Sequence, residues 1–199
     1  TKTTPLSIVC DMNGSARTLS IDNSYFNKHG LGFYAINNEP RKIVHAIIPE
    51  PENLVYCANE MESLQNEGKT DAILGYMPDC DGDRGNIGFW NKKEKKAEVL
   101  KAQEVFALSV LSELAFLAYS GKTGENAKIA VSVNDPTSMR IEEIAKAFGA
   151  LVARAEVGEA NVVNRARELR AEGYEVRILG EGSNGGNITH PAAVRDPLN

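Results

Sequence analysis

Short runs of consecutive apolar residues, each followed by a stretch with helical spacing, recur along this 199-residue chain. A brief unbroken apolar run marks a strand buried on both faces, and such strands need helices to cover them. The alternation therefore predicts an α/β protein built from two consecutive mixed, mostly parallel sheet domains with helices packed on them.

In the first half, Leu6 to Cys10 has the character of a buried strand. The turn Asp11-Met12-Asn13-Gly14 follows it, then a helix expected from about Ser15 to Lys28 and closed by Gly30. Gly32–Ile36 is a second strand, Ile48 to Asn53 a proline-stiffened loop, and Leu54 to Glu67 a helix. Ala72 to Tyr76 is a third apolar run. Gly85 to Trp90 and Ala97 to Leu100 form an expected hairpin around the charged turn Lys92-Lys93-Glu94-Lys95-Lys96. The first domain is expected to span residues 1–98.

The second, over residues 99–199, opens with a helix from Gln103 to Ala118, whose apolar residues recur at helical spacing. A strand at Ile129–Val133 follows, then a helix started by Asp135-Pro136 and running to about Phe148. A strand at Leu151–Ala153 and a helix from Glu159 to Glu172, ended by Gly173, precede a last strand at Val176–Leu179. The halves share one plan, without a sequence repeat that proves it.

Composition narrows the function. A formal net charge of -5 and the absence of a dense Lys/Arg stripe exclude nucleic acid as an expected partner. No unbroken apolar run approaches the roughly 20 residues of a membrane span, and none follows Thr1 to Pro5 as a signal peptide requires, so no membrane partner is expected. Three cysteines without C-x-x-C spacing argue against a disulfide framework or a thiolate zinc site, and for a reducing cytoplasm. The absent initiator Met suggests a piece of a longer chain.

The densest chemical signal is Asp79-Cys80-Asp81-Gly82-Asp83-Arg84, directly after an apolar strand. Carboxylates at alternate positions share one side of an extended backbone, and a bend at Gly82 lets them converge on one cation. Hard oxygen ligands select Mg²⁺ or Ca²⁺. Three carboxylates and one guanidinium sum to -2, the charge a divalent ion cancels, and Arg84 is placed to grip a phosphoryl group. An EF-hand register fails, because Arg84 and Trp90 fall where that loop needs Gly and Glu. A haloacid-dehalogenase phosphatase with Asp79 as nucleophile matches locally but lacks a second acidic element, and a solvated acidic turn is the bland alternative.

Gly180-Glu181-Gly182-Ser183-Asn184-Gly185-Gly186-Asn187 mixes a carboxylate, a hydroxyl and amides on a glycine-loosened backbone. Sugar hydroxyls, which both give and take hydrogen bonds, are read by such a mixture. By itself it is more often a flexible loop.

Taken together, these residues resemble the α-D-phosphohexomutase family (phosphoglucomutase/phosphomannomutase). Asp79-x-Asp81-x-Asp83-Arg84 is similar to its metal loop, Pro49-Glu50-Pro51-Glu52-Asn53-Leu54 to its proline-rich approach to the preceding helix, and Asp11-Met12-Asn13-Gly14 to the turn opening its second domain. Glu181 and Ser183 match the Glu and Ser of its Gly-Glu-x-Ser-Gly sugar loop, with Asn184 in place of a glycine. The resemblance implies Mg²⁺ held by Asp79, Asp81 and Asp83, Arg84 as the catalytic residue steadying the phosphoryl group, and a hexose phosphate read by Glu181 and Ser183.

It also implies the family reaction, phosphoryl transfer between the 1- and 6-positions of a hexose through a phosphoserine and a bisphosphate. Only the central two of four domains are covered. No Thr-x-Ser-His-Asn-Pro serine loop is present, so the chain alone is expected to be inactive and to need the remaining domains of its polypeptide. Val157-Gly158-Glu159 resembles a turn whose next position is usually basic, and Asn134 is a candidate substrate neighbour. Arg195-Asp196 resembles a position after the sugar loop, and His29, His45 and His190 receive no role. A phosphatase and a non-catalytic metal- or sugar-binding module are the alternatives.

Overall fold

The structure, a computed structural model, describes residues 5–48, 51–82, 84–124, 126–184 and 187–188. The chain divides into two compact units, Thr1–Lys101 and Ala102–Asn199.

In the first unit the strands are β1 (Ser7–Asp11), β2 (Gly32–Ile36), β3 (Ala72–Pro78), β4 (Gly85–Asn91) and β5 (Lys96–Val99). They form one sheet in the order β2-β1-β3-β4-β5, with β1 parallel to β2 and β3 and the last two pairings antiparallel. All five residues of β1 are buried, as expected of a central strand with both faces covered. Helix α2 (Val55–Asn66) lays Cys57, Met61 and Leu64 against Val9 and Ala72. At Gly75 on β3 any Cβ would lie 2.7 Å from both Cys57 Sγ and Met61 Sδ, so a glycine lets helix and strand approach.

The helix expected from Ser15 to Lys28 is broken. A single 3-10 turn, Ala16–Leu19, precedes α1 (Asp22–Lys28), with Ser20 extended between them. The Ala16 amide, which has no acceptor of its own at a helix start, donates to Cys80 O (2.9 Å), and the Arg17 side chain closes on Asp22 across the break.

In the second unit β6 (Ala130–Asn134), β7 (Leu151–Ala155), β8 (Ile178–Gly180) and β9 (Asn187–Ile188) are ordered β7-β6-β8-β9. Here β6 is parallel to β7 and β8, and β9 is antiparallel. In both units the first strand lies between its two parallel partners, and an antiparallel strand follows the third, which is the shared plan expected from sequence.

Helix α3 (Ala102–Tyr119) is long and apolar enough by length and composition to cross a membrane. It serves instead as a core helix of this unit, with Phe106, Val110, Leu114 and Leu117 packed with Val131, Val133, Ile141 and Ile178. Helix α4 (Arg140–Ala147) starts four residues later than Asp135-Pro136 suggested. The Arg154 guanidinium donates to the carbonyls of Asn134 (3.2 Å), Asp135 (2.7 Å) and Thr137 (3.0 Å), holding this stretch as a loop. Helix α5 (Glu159–Ala171) covers the other face of the sheet through Val162, Ala166 and Leu169.

The three thiols are free and differ in burial. Burial pushes the Cys57 thiol up to about 12 and raises that of Cys10 as well, so neither is a thiolate near neutral pH. Cys80 is exposed. A colorimetric thiol titration of the folded protein is expected to show one fast group, lost in Cys80→Ser, and three groups in denaturant.

Candidate active site

Strand ends position both loops. Asp79 follows β3 directly and is buried at 4% exposure. Its Oδ1 accepts the amides of Gly82 (3.0 Å) and Arg84 (3.2 Å), and its Oδ2 accepts Arg84 Nε (2.9 Å). The expected bend at Gly82 is present, at φ +83. Asp81 is exposed, and Asp83 lies outside the described residues. Among the described residues no three His, Cys, Asp or Glu side chains converge as a metal group. The donors that are described, carboxylate oxygens on a tight loop, have the hard chemistry that fits Mg²⁺.

Residues that the sequence reading passed over anchor this loop. Arg17 Nη1 donates to Gly82 O (3.3 Å), while its Nε and Nη2 both bond the carboxylate of Asp22, whose side chain is 2% exposed. That hydrogen-bonded carboxylate raises the Arg17 pKa above its ordinary value. The only hint in the sequence was Arg17 and Asp22 five residues apart, a spacing that matches no helical ion pair.

A second polar knot lies at the C-terminal end of β1. Asp11 is fully buried, and it accepts from Asn37 Nδ2 (2.9 Å), the Asn13 amide (3.2 Å) and His45 Nε2 (2.8 Å). Asn13 in turn holds the loop after β2, accepting from the amides of Val44 and His45 and donating to His45 O. His45, given no role from the sequence and here in a loop, has a side chain only 5% exposed, stacked on Tyr56 at 4.3 Å. The role it gains has a simple cause: the buried carboxylate at the strand end requires donors, and this ring supplies one.

In the second unit Glu181 sits just past β8. Its Oε1 accepts Asn134 Nδ2 (2.9 Å) and the Gly158 amide (2.9 Å), so one oxygen joins the end of β6 to the loops that follow β7 and β8. Gly158 precedes α5 at φ +123, a conformation that favours glycine. Ser183, in the 3-10 turn Gly182–Asn184, is exposed. Asn134, expected as a substrate neighbour, bonds Glu181 itself. Gly185, Gly186, His190 and Arg195-Asp196 lie outside the described residues.

Parallel strands that end at one edge, carrying polar loops there, form an α/β layer of the kind whose ligands bind beyond the carboxyl ends of the strands. Residues 108–196 match the family model described as phosphoglucomutase/phosphomannomutase, alpha/beta/alpha domain III.

Solved structures show that the likeness in fold extends over both units. A phosphoglucomutase/phosphomannomutase family protein from Burkholderia thailandensis aligns at TM-score 0.63 and 18% identity, covering 92% of this chain and 35% of that one. The Aspergillus fumigatus N-acetylphosphoglucosamine mutase, solved in complex with GlcNAc-6P and magnesium, aligns at TM-score 0.63 and 15% identity, over 94% and 34%. The pp63/parafusin phosphoglucomutase of Paramecium aligns at TM-score 0.58 and 18% identity, over 94% and 30%. This chain thus spans about a third of each of these relatives. No curated protein matches it in sequence.

Proposed function

We propose that this chain is the central part of a phosphohexomutase acting in a reducing cytoplasm, in which Asp79, Asp81 and Asp83 hold Mg²⁺ and Glu181 and Ser183 read the sugar of a hexose phosphate. The observation that carries the reading is the position of Glu181: it lies within the family-matched segment and is held at the C-terminal edge of the sheet by Asn134 and Gly158. A carboxylate fixed in this way is preorganised to accept hydroxyl hydrogens, and the exposed Ser183 adds a group that can give or take one.

In the acidic loop the amides of Gly82 and Arg84 hold Asp79 in place, and Asp81 faces solvent. Arg84, with a side chain 63% exposed, rests on Asp79 and is the group we assign to the phosphoryl oxygens. Bound Mg²⁺ would offset negative charge on the transferring phosphoryl group. A covalent phosphatase with Asp79 as nucleophile gains no support, since the sequence offers no second acidic element for it downstream.

The test is a calorimetric titration of the chain with Mg²⁺ and with glucose 6-phosphate. Asp81→Asn, an exposed change with little folding cost, is expected to weaken Mg²⁺ about tenfold or more, while Glu181→Ala weakens the sugar phosphate by a similar factor. Neither variant should change mutase turnover, which is expected to be absent from this chain without its other domains. Phosphate release abolished by Asp79→Asn would replace this reading with the phosphatase.

A further inference from the structure

The polarity of the hydrogen bonds around Glu181 can be worked out from the groups at their ends. The Gly182 amide can only donate, so the Thr137 hydroxyl oxygen receives it, at 2.9 Å. The hydroxyl's own hydrogen then goes to Asn134 Oδ1, at 2.5 Å. With its carbonyl so engaged, Asn134 turns its NH₂ to Glu181 Oε1, at 2.9 Å. Glu181 and Gly182 are chain neighbours, so the bonds close a ring from the backbone of the loop to the carboxylate it carries. Thr137 and Asn134 are both 3% exposed, where a missing partner is costly. Gln103 braces the same loop from α3: its Oε1 accepts the Ser138 amide (2.9 Å), and a Cβ on Gly182 would lie 2.0 Å from that oxygen.

We infer that Thr137, acting through Asn134, is a positioning residue that aims the Glu181 carboxylate at the sugar. The inference rests on the sugar-reading role proposed above and adds what sets it. The Thr137 methyl and hydroxyl have different duties, and only the hydroxyl can both accept from Gly182 and donate to Asn134. Thr137→Val keeps the shape and removes both bonds, whereas Thr137→Ser keeps both. Asn134→Asp replaces the donor facing Glu181 with a second carboxylate.

The experiment is amide hydrogen exchange by NMR on the 199-residue chain, combined with glucose 6-phosphate titration. In Thr137→Val, which loses both hydrogen bonds of the hydroxyl, exchange at Gly182 and Gly158 is expected to rise about tenfold and affinity to fall about tenfold. Thr137→Ser should stay within about threefold of the parent in both readouts, and Asn134→Asp should lose affinity while Gly182 stays protected. A purely structural threonine would not separate Val from Ser in this way. Exchange and affinity in Thr137→Val within about twofold of the parent, or no rescue by Ser, would overturn the inference. Glucose 6-phosphate affinity unchanged by Glu181→Ala would instead overturn the sugar reading, whatever the exchange data show.

Discussion

Asp11→Ala is expected to destabilise the first unit by about 3–5 kcal/mol, the cost of removing one member of a buried, charge-assisted network. The carboxylate is 0% exposed and accepts from three donors on separate segments: the Asn13 amide in its own turn, Asn37 after β2, and His45 in the loop beyond. With alanine in its place the Asn37 amide and the His45 ring nitrogen lose their acceptor, and the loop they fasten loses its tie to the sheet. Asn13 depends on the same loop through Val44, His45 and Ala46, so the loss spreads along the strand end. Trp90, the only tryptophan, lies in this unit, and its fluorescence in a urea titration reads the change as a lower midpoint. A shift worth less than about 1 kcal/mol would mean that water replaces the carboxylate at no cost and that the knot organises nothing.

Phe106→Ala is expected to cost the second unit about 3–5 kcal/mol, through lost transfer free energy and the cavity left behind. Phe106 is fully buried and belongs to the cluster formed by α3, α4 and the inner face of the β6 sheet. Those neighbours come from three elements whose backbones are set by their own hydrogen bonds, so collapse into the hole is limited. Phe106→Leu keeps most of the volume and should cost less than about 1.5 kcal/mol. Urea unfolding followed by far-ultraviolet circular dichroism measures both. Equal effects of the two substitutions would show that volume at this position is not what holds the core.

Much of the architecture could be read from local patterns. Gly32–Ile36 is a strand with the bounds expected, and the buried run that became β1 was visible because a central parallel strand is apolar without interruption. Two segments disagreed, 15–21 and 135–139, and in both a backbone group bonds a residue far along the chain. Cys80 O takes the Ala16 amide, and Arg154 takes three carbonyls between Asn134 and Thr137. Helix signals are local, and neither partner is within one helical turn of the segment it bonds.

The sites divide in the same way. Asp79, Asp81, Arg84, Glu181 and Ser183 stood out because unusual residue types were clustered in a few consecutive positions. Arg17, His45, Thr137 and Arg154 did not, because each is an ordinary residue whose meaning comes from a partner far along the chain.

From residue order alone came the alternation of strands and helices, the two-unit plan, the acidic turn with its bend at Gly82, and the glycine-rich turn bearing Glu181. These follow from backbone preference and side-chain periodicity, which act over a few residues. Only the folded chain decided which groups secure those turns: Arg17 and Asp22 under Gly82, and Asn134, Thr137 and Gly158 around Glu181. A buried polar atom needs a partner wherever the topology brings one, and parallel strands bring together residues whose separation in sequence carries no signal.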